Sequence, residues 1–334
     1  MPRVRPVGGS EVRGGAILVG GSGFVGSRLA SQIAASGRHS FVRIVDLKPP
    51  ASSVEGVEFL RHDVRSPMPV DFGEGVSTIY NLAAVHRTPG HSPHAYYDTN
   101  VNGALNCTAL AEACSIGTMV FTSSISVYGP KESVLTEAST PDPASDYGRS
   151  KLMAEQIHRR WFEAQPGRKL VIVRPGVIFG PGEDGNYTVL AKALRRGYFF
   201  YPGRQDTVKS SVYVGEVARA LDFALAHEDR FVLFNAAYPD LKSIREIVEA
   251  FGRTTGRQLN PPTVPLWSLL AVAKPFELLN SLGLDTRIHG DRVMKLVLST
   301  KIRPAWLEAN GYQFETDLDQ GLVQWQNETD GAFV

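Results

Sequence analysis

The sequence predicts an α/β fold built on a doubly wound parallel sheet, and three observations carry this prediction. Short apolar runs alternate with stretches of helical periodicity over the first two thirds of the chain, as in successive strand–helix–strand units. A glycine-rich turn separates the first run from the first helix, and an aspartate ends the second run. Together these features predict a Rossmann-type domain.

The apolar runs are the expected strands, and the periodic stretches between them are the expected helices. We predict strands at residues 16–19, 41–45, 57–61, 77–81, 119–122 and 170–173, with shorter ones near residue 212 and at 231–235. Helices are expected from the glycine turn to residue 35 and at 93–115, 147–164, 187–196, 215–227 and 243–255. The stretch 131–146 is polar and rich in Ser, Thr and Pro, which is typical of a surface loop.

The character of the chain changes after residue 180, which predicts a second part. We expect a flexible tail at residues 1–15, a cofactor-binding domain at 16–180 to which residues 212–235 return, and a smaller mixed α/β substrate lobe formed mainly by 181–334. Within that lobe Leu266–Leu284 is a long apolar segment. It could be a packed helical pair, a lid or an interfacial helix, and packing inside the lobe is favoured.

Composition excludes several classes of protein. The 334 residues include 35 Lys and Arg against 34 Asp and Glu, so the chain has almost no net charge. It therefore lacks the strong positive field that is typical of nucleic-acid-binding proteins. The sequence contains no run of 18 apolar residues, so we predict no membrane-spanning helix. Residues 1–15 lack the apolar core of a signal peptide. Cys107 and Cys114 lie seven residues apart on one predicted helix, too far for a disulfide. We therefore expect a cytoplasmic protein with two free thiols.

The glycine turn predicts a dinucleotide site. Gly20, Gly23 and Gly26 allow a tight turn and a close backbone approach, and the helix that follows offers N–H donors to a pyrophosphate. Asp46 ends the next strand 20 residues after Gly26, where a carboxylate binds the ribose hydroxyls of NAD. The same turn could be an ordinary glycine loop, but the order strand, turn, helix, strand and acid favours NAD.

The loop after the fourth strand carries His86, His91 and His94. Their spacing matches no usual metal-ligand pattern, and no acidic or cysteine cluster accompanies them. We therefore predict no metal site, and we interpret the loop as facing solvent or substrate.

Tyr147 and Lys151 are the candidate catalytic pair. Four residues apart on one helix, their side chains share a face. A nearby ammonium favours the phenolate and would lower the pKa of Tyr147, so that it could exchange a proton with a hydroxyl. The spacing alone is weak evidence, because a surface helix often shows it by chance.

Eight motifs occur in the order typical of one family. They are G-G-S-G-F-V-G (20–26), V-D (45–46), H-D-V (62–64), N-L-A-A (81–84), Y-Y-D-T-N-V-N-G (96–103), F-T-S-S-I-S-V-Y-G (121–129), Y-G-R-S-K (147–151) and R-P-G-V-I-F-G-P-G (174–182). On these motifs the chain resembles the extended short-chain dehydrogenase/reductases, specifically the NAD-dependent epimerase/dehydratase family acting on nucleotide sugars. The resemblance covers residues 16–225 well and the last hundred residues weakly.

The resemblance implies roles for single residues. Ser124, with Ser123 as its backup, would share the substrate hydroxyl with Tyr147, and Lys151 would also touch the nicotinamide ribose. The implied NAD site comprises Gly20, Gly23, Phe24, Val25, Gly26, Asp46, Asp63, Val64, Ala83, Ala84, Asn100, Ser123, Tyr147, Lys151, Pro175 and Val177. A homodimer is expected as well.

The resemblance weakens in the substrate lobe. Asn186 matches a residue that meets the nucleotide phosphates, and Tyr201 stands where an aromatic ring often stacks on the base. Lys209 occupies the position of a phosphate-binding Arg, for which Arg204 is a rival, and His86 is a further candidate for substrate contact. A lysine is a point charge rather than a bidentate fork, so the nucleotide and the sugar stay open.

The resemblance therefore implies an NAD-dependent nucleotide-sugar epimerase that resembles the UDP-hexose 4-epimerases and oxidises its substrate transiently to a keto sugar. The alternatives are a nucleotide-sugar 4-ketoreductase and a 3β-hydroxysteroid-type dehydrogenase; a non-catalytic NAD sensor is disfavoured because Ser124, Tyr147 and Lys151 are all present. A 4,6-dehydratase is also disfavoured, since Ile125 and Ser126 supply no carboxylate after Ser124.

Overall fold

The computed structural model of the protein describes residues 14–86, 90–281, 294 and 296–334. Its strands are β1 (Gly15–Val19), β2 (Val42–Asp46), β3 (Val57–Arg61), β4 (Val76–Asn81), β5 (Thr118–Thr122), β6 (Lys131–Leu135), β7 (Lys169–Pro175), β8 (Val177–Phe179), β9 (Tyr201–Pro202), β10 (Ser211–Tyr213), β11 (Phe231–Ala236), β12 (Thr263–Val264) and β13 (Thr300–Ile302). Of the predicted tail at residues 1–15, residues 1–13 lie outside the described residues, and Gly15 already belongs to β1.

The helices follow the predicted order. They are α1 (Phe24–Ser36), α2 (Pro93–Ala113), α3 (Asp146–Glu163), α4 (Asn186–Arg196), α5 (Val214–Ala226), α6 (Ile244–Thr255), α7 (Leu266–Ser281), α8 (Ala305–Ala309) and α9 (Leu318–Glu328). Of the apolar segment Leu266–Leu284, the part up to Ser281 forms α7, and residues 282–284 lie outside the described residues.

Seven parallel strands form the central sheet in the order β11-β7-β5-β4-β1-β2-β3. The chain moves outward from β1 in one direction and then returns to build the other half from β4, so the switch point lies between β1 and β4. In such sheets the crevice beyond the carboxyl ends of the strands at the switch point binds ligands. This confirms the predicted doubly wound α/β class.

Helices cover both faces of this sheet and bury it. Side chains of α1 and α5 pack on one face, including Leu29 and Leu221. The other face carries α2 and α3, with Cys107 and Trp161 in its core. The strands are consequently buried on both sides, which explains why they appear in the sequence as continuous apolar runs.

Three short parallel strand pairs and helices α4, α6 and α9 lie outside the central sheet. The pairs are β8–β10, β9–β12 and β6–β13. Phe179, Phe251 and Trp325 lie in the core of this part. The division into a cofactor-binding and a substrate-binding domain stays a prediction.

One predicted loop is a strand. Residues 131–135 form β6, which pairs with β13 from the other end of the chain. The interpretation of 131–146 as loop throughout was therefore wrong for its first five residues. Their polar composition hid the strand, because β6 is stabilised by a partner that follows more than 160 residues later.

Candidate active site

The glycine turn between β1 and α1 is held so tightly that side chains do not fit. Gly20 has φ +81°, and a Cβ there would lie 2.5 Å from the backbone nitrogen of Ala83. A Cβ on Gly26 would lie 2.6 Å from Cα of Gly21. These glycines bring the turn against the loop after β4, at the switch point of the sheet.

The start of α1 fits a pyrophosphate. Gly23 is its N-cap and supplies no side-chain hydrogen bond, and the first turn carries no acidic residue. The backbone N–H groups at this end are therefore available to an anion. Beside them the hydroxyl of Ser22 is buried without a hydrogen-bond partner, which adds a donor that the sequence did not single out. Phe24 and Val25 open the helix at this point and are half-buried.

Asp46 stands at the carboxyl end of β2, facing the glycine turn. Its carboxylate accepts hydrogen bonds from the backbone N–H of Ser22 at 3.1 Å and of Leu47 at 2.7 Å. A partly exposed carboxylate held in this way fits the ribose of NAD. Arg43 points elsewhere, since its guanidinium binds Glu58 at 2.8 Å and the carbonyls of Phe72 and Glu74.

Two other predicted cofactor residues already have protein partners. Asp63 is paired with Arg65 at 2.6 Å, and this hydrogen bond keeps its pKa below the usual range. The Asn100 amide is hydrogen-bonded to both backbone groups of Val85 and donates to Ser150 at 2.8 Å. Asn100 thus fixes the loop after β4 to α3. Of the remaining predicted positions, two are buried and three are partly exposed: Val64 and Pro175, and Ala83, Ala84 and Val177.

Ser124, Tyr147 and Lys151 converge where β5 ends and α3 begins. Ser124 follows β5, and its hydroxyl accepts from the N–H of Ser126 at 3.1 Å and donates to the phenol of Tyr147. One turn along α3, Lys151 is 1 % exposed, and its Nζ donates to the carbonyl of Thr122 at 2.8 Å. Helix α3 is anchored just before this group by Ser145, whose side chain caps the N–H of Gly148.

Burial shifts both titrating groups away from their charged forms. It raises the pKa of Tyr147 to about 12, while the hydrogen bond from Ser124 acts in the opposite direction. It lowers the pKa of Lys151 to about 7, opposed by the negative charge of Glu155. The sequence predicts that Lys151 lowers the pKa of Tyr147; in the structure, desolvation dominates instead.

Comparison with known proteins identifies this arrangement. The model of the NAD-dependent epimerase/dehydratase family matches residues 16–237. The chain belongs to this family. It is 30 % identical over 311 residues to the N-acetyl-α-D-glucosaminyl-diphospho-ditrans,octacis-undecaprenol 4-epimerase of Escherichia coli O157:H7, covering 92 % of each chain. It is 26 % identical over 177 residues to the UDP-glucose 4-epimerase of Lactobacillus helveticus, covering 51 % of this chain and 53 % of the relative.

Solved structures share the fold at lower identity. The UDP-glucose 4-epimerase of Thermus thermophilus, in complex with NAD, superposes with a TM-score of 0.73 at 22 % identity, covering 95 % of this chain and 99 % of that one. The UDP-glucuronic acid 4-epimerase of Bacillus cereus, also with NAD, gives 0.74 at 18 % identity, with 96 % and 100 % covered. As a member of the epimerase/dehydratase family the chain is an NAD-dependent enzyme.

A buried polar network lies beneath the epimerase/dehydratase site, and most of it was not predicted from the sequence. Glu155, 1 % exposed, accepts from Ser123 at 2.5 Å and from Arg174 at 2.8 and 2.6 Å. Arg174 also donates to Tyr128, which in turn donates to Asn235 on β11. Ser123 therefore serves this network and does not stand free as a substitute for Ser124. The signal available was Glu155 itself, one turn after Lys151 on the same face of α3.

The predicted substrate residues split into two groups. Arg204 and Lys209 converge on residues 298–299: Arg204 donates to Ser299 at 3.3 Å and the Nζ of Lys209 donates to the carbonyl of Leu298 at 2.6 Å. Burial lowers the pKa of Lys209 to about 8. Arg204 is further bound to Glu132 and Asp206.

The other three substrate candidates lie apart from this pair. Asn186 is exposed at the start of α4, and His86 is exposed beyond the end of β4. Tyr201 is 4 % exposed and packs edge-on against Phe199. Little of the Tyr201 side chain is therefore accessible, and its role in stacking on a base stays a prediction. The hydrophobic surroundings of β9 and α4 explain this burial.

Among the described residues, no group of three His, Cys, Asp or Glu side chains could hold a metal ion. Of the helices in the described ranges, none has the length and apolar character needed to cross a bilayer. Both cysteines are free, Cys107 buried and Cys114 partly exposed.

Proposed function

We propose that this protein is a 4-epimerase that inverts C4 of a hexose carried on a diphosphate, with a UDP-hexose as the first substrate to test. One observation carries the proposal: Ser124, Tyr147 and Lys151 meet at the carboxyl end of β5, on the same edge of the parallel sheet as the glycine turn after β1 and Asp46 at the end of β2. Bound NAD supplies a hydride acceptor and donor at this point.

The chain's own residues would handle the proton and the orientation of the sugar. Ser124 holds the hydroxyl on the reacting carbon, and Tyr147 takes its proton at the phenol oxygen and later returns it to the keto oxygen. Lys151, held by the carbonyl of Thr122, would favour the phenolate against desolvation by burial when its ammonium is charged. The keto sugar must then turn within the lobe, so that both faces of C4 can react in turn.

The residues after Ser124 support an epimerase or a reductase over a dehydratase. Elimination of water needs a base next to the keto carbon, whereas residues 125–128 form a 3₁₀ turn with the sequence Ile-Ser-Val-Tyr. Epimerase and ketoreductase share Ser124, Tyr147 and Lys151 and differ in whether the oxidised cofactor is regenerated in the site. An acid at Asp46, which favours NAD over NADP, supports the epimerase.

The test is to incubate the purified protein with UDP-hexoses without added cofactor and to follow the configuration at C4 by NMR. Inversion with no net redox change is the expected result. A parallel incubation contains added NADH and a 4-keto sugar. Stoichiometric consumption of NADH there, with no inversion of any hexose in the first incubation, would assign a reductase instead.

A second candidate substrate is a sugar carried on a polyprenyl diphosphate. The relative from Escherichia coli O157:H7, which aligns over 92 % of both chains, is named for a diphospho-undecaprenol substrate. The burial of Tyr201, which leaves little of its side chain accessible to a nucleobase, favours this candidate. Turnover of an N-acetylhexosaminyl diphospho-polyprenol in detergent, with no turnover of the matching UDP-sugar, would select it.

We further propose that the protein works in the cytoplasm as a homodimer. The free thiols Cys107 and Cys114 support a reducing compartment. Exposed apolar side chains on α2 and α3, Leu105 and Met153, support self-association.

A further inference from the structure

Two segments of the substrate lobe carry positive charge and no negative charge. Residues 186–205 contain one Lys and three Arg, residues 257–276 contain one Lys and one Arg, and neither segment contains Asp or Glu. The whole chain, by contrast, has nearly equal numbers of both signs. These forty residues therefore carry a local excess of positive charge.

The fold joins these two segments side by side. Strand β9 in the first pairs with β12 in the second, with Tyr201 opposite Thr263. Arg257 donates to the carbonyl of Arg195 at 3.4 Å. The start of α7 packs on the turn after β9, where a Cβ built on Gly203 would lie 3.1 Å from Cβ of Leu266.

Large apolar side chains are exposed on the same two segments. Trp267 is 73 % exposed and Val272 is 63 % exposed on α7, and Tyr198 and Phe200 are exposed before β9. The exposed cations that accompany them are Arg195, Arg196, Arg257 and Lys274. We call these eight residues the basic–apolar face. Packing inside the lobe, the preferred prediction for the apolar segment, does not account for the exposure of Trp267 and Val272.

We propose that the basic–apolar face docks the protein on the surface of an anionic lipid bilayer. Aromatic and aliphatic side chains enter the boundary between headgroups and acyl chains, and flanking cations attract anionic headgroups. Tryptophan and tyrosine suit this boundary, because they join an apolar ring to a polar group. The proposed contact is lateral, with the described part of α7 (Leu266–Ser281) lying along the bilayer surface.

The position of the face gives the docking a consequence for the active site. Arg204 follows β9 directly and shares the residue 298–299 contact with Lys209. Docking would therefore bring the predicted phosphate-binding end of the cleft to headgroup level. This inference does not depend on the proposed reaction, since lipid binding is measured without turnover.

The experiment is vesicle co-sedimentation of the full-length protein. We expect binding to vesicles of phosphatidylcholine with phosphatidylglycerol, weak binding to phosphatidylcholine alone, and loss of binding as salt is raised. Failure to sediment with the anionic vesicles at low salt would overturn the proposal, whatever the epimerase assay gives.

Variants locate the contact. Val272→Ser and Trp267→Ser should each weaken binding by about tenfold, and Arg195→Ala with Arg196→Ala by about tenfold or more. Val70→Ser is the matched control, because Val70 is 57 % exposed on the 3₁₀ turn at residues 70–73, outside this face. Equal loss in the control would overturn the assignment.

A second copy of the chain is the competing occupant of the face. Sedimentation velocity of Trp267→Ser without lipid distinguishes the two. An unchanged oligomeric state supports the bilayer, whereas dissociation caused by this variant would overturn the proposal in favour of self-association. Turnover of a soluble UDP-sugar should be unchanged in Trp267→Ser, which shows that the variant is folded.

Discussion

The phenol of Tyr147 is the residue on which proton transfer is proposed to depend. Tyr147→Phe removes the hydroxyl and leaves the ring, which lies 6.2 Å from that of Tyr96, so packing should persist. We expect turnover to fall about 10²–10⁴-fold, the usual contribution of a general acid/base group, while NAD affinity stays near wild type. The measurement is steady-state kinetics with calorimetric NAD titration. Turnover close to wild type with a verified substrate would assign the proton transfer to another group.

Lys151 should make stability depend on pH. Its ordinary pKa of 10.5 applies in the unfolded chain, and burial lowers the folded value to about 7. Between these values the unfolded state binds more protons, so the free energy of unfolding contributed by Lys151 rises with pH, by up to about 1.4 kcal/mol per unit. Below pH 7 the full cost of burying the cation applies.

Lys151→Met keeps the length of the side chain and removes the titration. We expect the variant to be more stable than wild type at pH 7 and to lose this advantage progressively towards pH 10. Urea unfolding at several pH values measures the difference. Parallel pH dependence of the two proteins would show that Lys151 keeps its ordinary pKa.

Asp46 should determine the choice between NAD and NADP. In the predicted NAD site its carboxylate binds the ribose hydroxyls, where it would repel the 2′-phosphate of NADP, because like charges in contact are costly. We expect NAD to bind at least about tenfold more tightly, measured by calorimetry. Arg43→Ala is the control: because Arg43 is held by Glu58 at 2.8 Å, its loss should leave the ratio unchanged. Tighter binding of NADP would remove Asp46 from the ribose site.

The turn between β1 and α1 is the element on which cofactor binding should depend most. Gly26→Ala would bring a Cβ within 2.7 Å of the carbonyl oxygens of Gly20 and Gly21, so the turn must open. We expect NAD affinity to drop more than tenfold by calorimetry. Gly37→Ala at the other end of α1 is the control, since no atom lies within 4 Å of its Cβ.

The control variant Gly37→Ala tests a second property, the stability of the fold. Gly37 has φ +64°, so alanine there should cost about 1–2 kcal/mol of stability without loss of NAD affinity. If both variants bind NAD like wild type, the glycine turn does not hold the pyrophosphate.

The sequence predicted those strands and helices well whose formation depends on their own residues. The strands of the central sheet are buried on both faces, so their apolar runs identify them. Strand β6 and the burial of Trp325 could not be predicted from local sequence, because both depend on contacts with residues that are distant along the chain. Contacts of this kind are set by tertiary packing, which overrides local propensity.

In the candidate site, too, the features set by local sequence were predicted and those set by long-range packing were not. The glycine turn, Asp46 and the Ser124, Tyr147 and Lys151 group lie in short motifs, and the fold brings them together at one sheet edge. The Glu155–Arg174 pair joins α3 to β7, and no local pattern specifies that pairing. The burial of the Tyr201 side chain and the lowered pKa of Lys151 could not be predicted from the sequence either, because both depend on how the folded chain packs around these residues.

At the scale of the whole molecule, the outer surfaces of α2 and α3 are the proposed dimer contact. These helices pack against each other over the sheet, and Leu105 on α2 and Met153 on α3 are 49 % and 43 % exposed. A two-fold contact would bury each side chain twice, once per subunit. The basic–apolar face belongs to α4, β9 and α7 and would stay open to lipid.

Leu105→Glu combined with Met153→Glu should therefore separate the subunits. Four carboxylates would be buried without partners in one interface, which costs several kcal/mol and raises the dissociation constant at least about a hundredfold. Light scattering after size exclusion should give a dimer for wild type and a monomer for the double variant. Val323→Glu on α9, where Val323 is 43 % exposed, should remain dimeric. A wild-type monomer, or a double variant that stays dimeric, would move the contact away from α2 and α3.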